Sequence, residues 1–462
     1  MPIPRSVSLA ASILIFTTLS APAVNAQRRS RPAASRLNPQ VVQIVRSINP
    51  RNVETSIRKL VSFETRNTLS DQTDATRGIG AARDWLFSEF QKIAASSGGR
   101  MTVEKQTFTQ PKGERIPSPT VITNVVATLR GASPGSVGRT YVVSGHYDSM
   151  CGSAVDGKCD APGANDDASG TAVVLEMARA MAPHKFDATI VFMAVAGEEQ
   201  GLYGSTYFAE QAKQRNVDIE AMFTNDIVGN SLGGNGVRDR NTIRVFSEGV
   251  PTDETPEEAN VRRGVGGEND STSRQLARFI KETAERYVRG MRVMMVYRRD
   301  RYLRGGDHRP FLERRYPAVR FTEPNEDYRH QHQYVRVENG VQYGDLPEFV
   351  DFNYTANVAR VNAAAMATLA LAPARPKGVG LVTARLTNDT DLRWEANKEP
   401  DLAGYEIVWR DTTAAVWTNT LFVGNVTSHT VKGMSKDNFF FGVRAVDRNG
   451  NRSPVSFPVP VR

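Results

Sequence analysis

The chain has 462 residues, 40% apolar and 23% charged, with a formal net charge of +8 at pH 7. The composition is ordinary for a globular protein, and the length exceeds what one compact domain holds, so two folded units are expected. No basic block is interleaved with aromatic residues, which excludes a nucleic-acid reader, and no segment carries the ~20 apolar residues of a membrane span.

In chain order, Arg5, the apolar stretch Val7 to Leu19 and the small residues around Val24-Asn25-Ala26 predict a signal peptide over residues 1–26, with Gln27 as the mature start. The stretch is too short and interrupted to anchor. A secreted protein, extracellular or periplasmic, is therefore expected, and its excess positive charge is expected to be a solvated surface. Residues 27–36 are polar, basic and aperiodic and predict a disordered leader.

A first folded unit is expected over residues 37–373. Apolar positions at helical spacing run from Val41 to Val61 and are divided into two helices by Pro50. A third helix is predicted over Gly78–Ala95, with Trp85, Leu86 and Phe90 on one face. Strand–helix alternation follows. Strands are predicted at Tyr141–Gly145, Ala188–Ala196 and Ile219–Val228, and again at Thr242–Phe246, Arg292–Tyr297 and Ala318–Phe321. Helices are predicted at Ala168–Met181, Leu202–Lys213, Thr272–Val288 and Asp351–Leu371. The near-continuous apolar run at 188–196 suits a strand covered on both faces. The fold class is α/β, a mostly parallel or mixed central sheet with helices on both faces.

Two prolines and a glycine mark a linker over residues 374–379. Residues 380–462 alternate as about seven short strands with turns, which suggests a β-sandwich. Trp394, Tyr405 and the run Phe439 to Val446 resemble a fibronectin type III module. Such a tail is expected to bind a surface or polymer, or to act as a spacer.

The only cysteines are Cys151 and Cys159. In an exported chain a close pair within one loop predicts a disulfide. It would stiffen the segment between His146 and Asp166.

Four short segments carry the chemistry: Gly145-His146-Tyr147-Asp148-Ser149, Gly163 to Gly170 (GANDDASG), Gly197-Glu198-Glu199-Gln200-Gly201 and Asn225-Asp226. Each lies beyond a predicted strand or opens a helix, so a parallel sheet gathers them in one crevice. Amide hydrolysis at neutral pH needs an activated water and an oxyanion stabiliser, which two divalent ions about 3.5–4 Å apart supply. His146 is a nitrogen ligand, Asp166 a candidate bridge, and Asp226 completes the first ion's set. Adjacent Glu198 and Glu199 diverge, so one can bind metal while the other takes the water's proton. Asp148 can orient the His146 imidazole. The second ion needs a nitrogen from His308, His330 or His332.

These segments, with AGEEQGLYGS and GGDHRPF, resemble the family-28 metallopeptidases, a co-catalytic di-zinc group that includes secreted bacterial leucyl aminopeptidases. The resemblance covers roughly residues 40–372. It implies two Zn2+ per chain, with His146, Asp166 and Asp226 on one and Asp166, Glu199 and a late histidine on the other. It makes Glu198 the general base and implies a cis peptide bond between Asp166 and Asp167. It selects His332 over His330 as the late ligand, and leaves Asp307 and His308 as substrate contact or support. The activity it implies is aminopeptidase action on a peptide or protein substrate. A single-zinc glutaminyl cyclase-like acyltransferase is the alternative on the same fold, and an inactive adhesion or receptor protein the alternative from another class. The arginine-rich segment Tyr297 to Arg309 suggests that Arg301 or Arg304 reaches the substrate pocket and favours an acidic side chain or a free carboxylate.

Overall fold

The computed structural model describes Met1 and residues 37–462. The expected signal peptide and basic leader lie outside the described residues. The chain enters through α1 (Pro39–Ser47) and α2 (Pro50–Val61). Asn38 and Asn49 cap these helices through their side chains, each followed by a proline whose fixed φ suits the first helical position. Then come α3 (Gly78–Ala95) and a long hairpin, β1 (Met101–Gln110) and β2 (Thr120–Leu129). The central part runs β3 (Arg139–His146), α4 (Ala168–Met181), β4 (Thr189–Val195), α5 (Glu198–Gly201), α6 (Tyr203–Gln214) and β5 (Asp218–Asn225). It continues through β6 (Thr242–Phe246), α7 (Pro256–Val265), α8 (Thr272–Tyr287), β7 (Arg292–Val296), α9 (Arg309–Leu312) and β8 (Ala318–Thr322). A small hairpin, β9 (Arg336–Glu338) and β10 (Val341–Tyr343), precedes α10 (Phe352–Leu371).

Eight of these strands form one sheet in the order β1-β2-β4-β3-β5-β8-β6-β7. It is mixed rather than mostly parallel. The pairs β4–β3, β3–β5, β5–β8 and β6–β7 are parallel, whereas β1–β2, β2–β4 and β6–β8 are antiparallel. The antiparallel edge comes from the hairpin β1–β2, which the sequence reading did not anticipate. Its first strand, MTVEKQTFTQ, is polar and largely solvent-facing.

Alternation along the central strands explains their apolar character. Tyr141, Val143, Ile190, Phe192 and Ala194 face a core with α2, α4 and α10. Val142, Val191, Met193 and Val195 face a second core with Ala209 and Ala212 of α6 and Phe311 of α9. Both faces are thus covered, as the pattern required.

Residues beyond α10 form β11 (Gly380–Val382), β12 (Thr390–Arg393), β13 (Leu402–Asp411), β14 (Asn419–Gly424), β15 (Ser428–Val431), β16 (Phe439–Asp447) and β17 (Val459–Val461). They make a four-stranded sheet, β15-β12-β11-β17, and a three-stranded one, β14-β13-β16. Leu392 and Trp394 from one side share a core with Tyr405, Ile407, Phe441 and Val443 from the other. These sheets and the α/β part belong to one compact unit, Arg36–Arg462. Polar contacts join them. Asp270, fully buried, receives Arg410 at 2.7 Å and Arg278 at 3.0 Å. Trp417 Nε1 donates to Gln275 Oε1 at 3.0 Å, and Arg444 meets Glu282 at 2.9 Å.

Candidate metal centre

Neighbouring strand ends and two loops deliver the site. β3 pairs in parallel with β4 and β5, with His146 opposite Val195 and Ser144 opposite Thr224. Their carboxyl ends therefore lie side by side, where ligands sit in open α/β sheets. His146 ends β3, Glu198 and Glu199 open α5 after β4, and Asp226 follows β5. Asp166 lies just before α4, and His332 in the segment after β8.

Two glycines make this convergence possible. Gly197 has φ +75°, a left-handed turn that side chains disfavour, and it redirects the chain from β4 into the paired glutamates. A Cβ at Gly145 would stand 2.4 Å from the Gly170 carbonyl carbon. Strand β3 and the start of α4 thus meet backbone to backbone, which brings His146 and Asp166 together.

His146 Nε2 lies 3.2 Å from Asp166 Oδ1 and 3.9 Å from Asp226 Oδ1. On the other side of Asp166, His332 Nε2 lies 3.0 Å from Asp166 Oδ2 and 3.2 Å from Glu199 Oε2. His330 takes no part. Its ring stacks on Phe349 with centroids 3.7 Å apart. The bond between Asp166 and Asp167 is cis. The side chains of His146, Asp166, Glu199 and Asp226 are at most 6% exposed.

Asp148 does more than face the imidazole. The His146 ring Nδ1 is nearer to the Asp148 backbone oxygen, 3.1 Å, than to its carboxylate, 3.5 Å. That carboxylate accepts the backbone N–H groups of Glu198 at 3.4 Å and Glu199 at 3.2 Å, and the Thr68 hydroxyl at 3.1 Å. It ties the turn after β3 to the start of α5.

The electrostatics of this cluster favour cations. Burial alone would push His146 down, but Glu198, Asp167 and the bonded carboxylates hold it well above its ordinary value. His332 is likewise raised to about 11, because Glu199 and Asp166 outweigh its burial. Burial lifts Glu198 well above the carboxylate range, reinforced by Asp226 and Glu199.

Two triads sharing Asp166, namely His146–Asp166–Asp226 and Asp166–Glu199–His332, each bring one donor atom per residue within 4.8 Å of the others. His146, Glu198 and Glu199 form a third such group. Donors held ~2.0–2.2 Å from a tetrahedral zinc ion stand roughly 3.3–3.6 Å apart, within the span of the separations found here. Glu199 Oε1 is buried with no hydrogen-bond partner among the described residues. Nitrogen and carboxylate oxygen donors of this kind suit zinc, and the two triads that could hold it share Asp166.

A cavity of about 760 Å³ opens over the cluster. Glu198, Glu199, Asp166, Asp226 and His332 line it, together with Arg301 and Arg304. Asp307 and His308 do not. Both are fully buried, and His308 Nε2 contacts the Arg299 carbonyl at 2.9 Å. Of the two roles expected for this pair, burial favours support of the site over contact with substrate. Cys151 and Cys159 form a disulfide, and Met150, Gly152 and Ser153 of that loop line the cavity.

Three residues that the motifs did not reveal hold the site in place. Arg320, fully buried, reaches Asp226 Oδ1 at 2.7 Å. The Asp345 carboxylate accepts the N–H groups of Asn165 at 2.9 Å and Asp166 at 2.7 Å. Buried Arg66 donates to Tyr147 O at 2.7 Å and Gly163 O at 2.9 Å, linking the two ligand-bearing loops.

A model of peptidase family M28 matches residues 124–334. A probable zinc metalloprotease of Leptosphaeria maculans is 51% identical over 421 residues, spanning 91% of this chain and 97% of that protein. The Legionella pneumophila LapA aminopeptidase superposes with a TM-score of 0.51 at 20% identity, covering 72% of this chain and 76% of its own. A Macrostomum lignano glutaminyl cyclase gives 0.51 at 15% identity, covering 72% and 94%. At such identities the solved structures share the fold alone. With half of its residues matched across almost the whole of the Leptosphaeria relative, the chain belongs to peptidase family M28.

Proposed function

We propose that this chain is a secreted two-zinc aminopeptidase that removes residues from the amino end of peptides. The observation that carries the reading is the pair of donor triads sharing Asp166. His146, Asp166 and Asp226 would hold one ion, and Asp166, Glu199 and His332 the other. Zinc, when bound there, supplies Lewis acidity toward a carbonyl oxygen and lowers the pKa of water. Glu198 belongs to neither triad and lines the cavity beside them. Its carboxylate takes a proton from the attacking water and returns it to the departing amine. Asp148 holds the Glu198 and Glu199 backbones, fixing the base relative to the ligands. The acidic floor of the cavity, Asp166, Glu198, Glu199 and Asp226, suits the ammonium end of a peptide.

Secretion is supported by the apolar leader of residues 1–26 and by the disulfide. The C-terminal pair of sheets is read as a fibronectin type III-like module. The presence of both triads favours peptide hydrolysis over single-zinc cyclisation of glutaminyl ends.

The test is metal analysis with a panel of aminoacyl nitroanilides. Two zinc ions per chain and release of nitroaniline are expected. Glu198→Gln should keep both ions and lose roughly 10²- to 10⁴-fold in kcat. Normal turnover by that variant would remove Glu198 from its role. One zinc per chain with pyroglutamate as product would move the protein to the cyclase class.

A further inference from the structure

The cavity over the centre is chemically two-sided. Its floor is acidic, but four arginines line it as well: Arg115, Arg301, Arg304 and Arg309, with Glu114 the one acidic lining residue outside the cluster. Two of the four are committed. Arg115 donates to the Glu199 backbone carbonyl at 2.9 Å. The Arg301 side chain is 9% exposed and braced between Asp300 at 3.2 Å and Glu326 at 3.1 Å. Both arginines named from the sequence, Arg301 and Arg304, reach the cavity, but Arg301 does so with its guanidinium engaged and nearly buried, whereas Arg304 is more exposed.

Arg304 and Arg309 are each one-third exposed. The Arg304 guanidinium pairs at 3.0 Å with Glu326, a carboxylate that also receives Arg301 and Arg244 at 2.9 Å. Glu326 is thus shared among three guanidiniums, Arg301 having Asp300 as a second partner, and Arg304 has Glu326 as its one ion-pair partner among the described residues. Arg309 reaches Glu313 only at 3.5 Å, and its Nε is buried with no hydrogen-bond partner among the described residues. Two partly exposed guanidiniums in a cavity that also carries Asp166, Glu198, Glu199 and Asp226 are complementary to a ligand with an ammonium group at one end and a carboxylate further along.

We propose, resting on the peptidase reading above, that Arg304 and Arg309 form a carboxylate subsite that selects peptides with a negative charge on the residue following the one removed. The carboxylate comes from an acidic side chain at that position or from the free end of a dipeptide. Either would meet the same guanidinium donors, and the two differ only in where the charge is attached.

Three substrates separate these sources: Leu-Gln-amide, with no carboxylate; Leu-Glu-amide, with one on the side chain; and Leu-Gln, with one at the chain end. In the zinc-loaded full-length protein, at least one charged peptide should exceed Leu-Gln-amide by roughly tenfold or more in kcat/KM, mainly through KM, as a charge-assisted hydrogen bond allows. The ratio of charged to neutral peptide should collapse to within about twofold in Arg304→Gln and in Arg309→Gln, and recover in part in Arg304→Lys, which keeps the charge without the fork. Equal turnover of all three peptides by the wild type, or an undiminished ratio in both Gln variants, overturns the subsite and leaves the peptidase reading intact. Calorimetric binding of the same peptides to Glu198→Gln supplies the independent arm. Selective binding of a charged peptide with no turnover by the wild type keeps the subsite and overturns the peptidase reading. Neither selectivity nor turnover overturns both.

Discussion

Arg320 carries more of the centre's electrostatics than its place in the sequence suggests. It is fully buried on β8, 2.7 Å from Asp226 and 3.5 Å from Asp300. Against its own burial, Asp226 and Asp300 hold the guanidinium charged. Replacing it with methionine removes the 2.7 Å partner of buried Asp226 and leaves buried Asp300 to Arg301 and His308. Arg320→Met should cost about 3–5 kcal/mol, read as a lowered denaturation midpoint of the metal-free protein, with Arg320→Lys recovering part of the loss. An unchanged midpoint would mean that the pairs contribute nothing. The contrast with His146, Asp166, Glu198, Glu199 and Asp226 shows what a sequence makes legible. Those residues sit in short motifs that end apolar strands or, for Asp166, open a helix, so the strand and helix periodicities bring them to one edge. Arg66, Arg320 and Asp345 are isolated charges in unremarkable contexts. Only the folded chain pairs each with a partner far away in sequence. His332 lies between these cases: its segment was recognisable, but its contacts with Asp166 and Glu199 depend on a loop conformation, φ +52° at His332, that no pattern announces.

Among the elements, the loop closed by Cys151 and Cys159 ties stability to substrate access. Ala154 within it accepts Gln200 Nε2 at 2.9 Å and Asn67 Nδ2 at 3.1 Å, so the loop is fastened to α5 and to the segment after α2. Closing a loop this short lowers the entropy of the unfolded chain by an amount worth about 2.5 kcal/mol. The double variant Cys151→Ser/Cys159→Ser should therefore melt lower. Because the loop lines the cavity, its KM should rise more than its kcat falls. A melting temperature and KM equal to wild type would show the loop to be held without the bond. The helices and buried strands were legible from periodicity: α3 and α4 have the predicted limits, Gly78–Ala95 and Ala168–Met181. What escaped was the exposed edge. Strand β1 alternates polar residues on a surface with little to bury, and α7 has a single buried residue, Ala259, and relies on a Thr255–Glu258 capping box. Elements with so little apolar burial leave a weak signature in the sequence.

At the scale of the whole molecule, charged groups join the C-terminal sheets to the α/β part. Glu406 lies between Arg444 at 2.7 Å and Arg452 at 2.9 Å, and Arg444 reaches on to Glu282 of α8. Burial pushes the Glu406 carboxyl up, but the two arginines outweigh it and hold it below 4.5. A carboxyl whose folded pKa is depressed stabilises the protein above its unfolded pKa and ceases to do so as pH falls through the folded value. Melting temperature should therefore fall below about pH 4.5, and less steeply in Glu406→Gln than in the wild type. Equal slopes would exclude this contribution. Removing residues 376–462 would take Arg410 away from buried Asp270, leaving it Arg278 and Gln275, and expose the α8 face that now receives Trp417. The shortened chain should melt lower than the intact one, and an identical melting curve would show the sheets to be independent.

Tyr297 gives this attachment a longer reach. Its hydroxyl donates to Ala415 at 3.1 Å, and its ring lies under Arg274, whose guanidinium carbon is 3.7 Å from the ring centre. It stands at the root of the segment that carries Arg304. The tail is thus a remote anchor for the rim of the cavity, and a proteolytic nick near residue 375 that released it would free the root of the Arg304 segment.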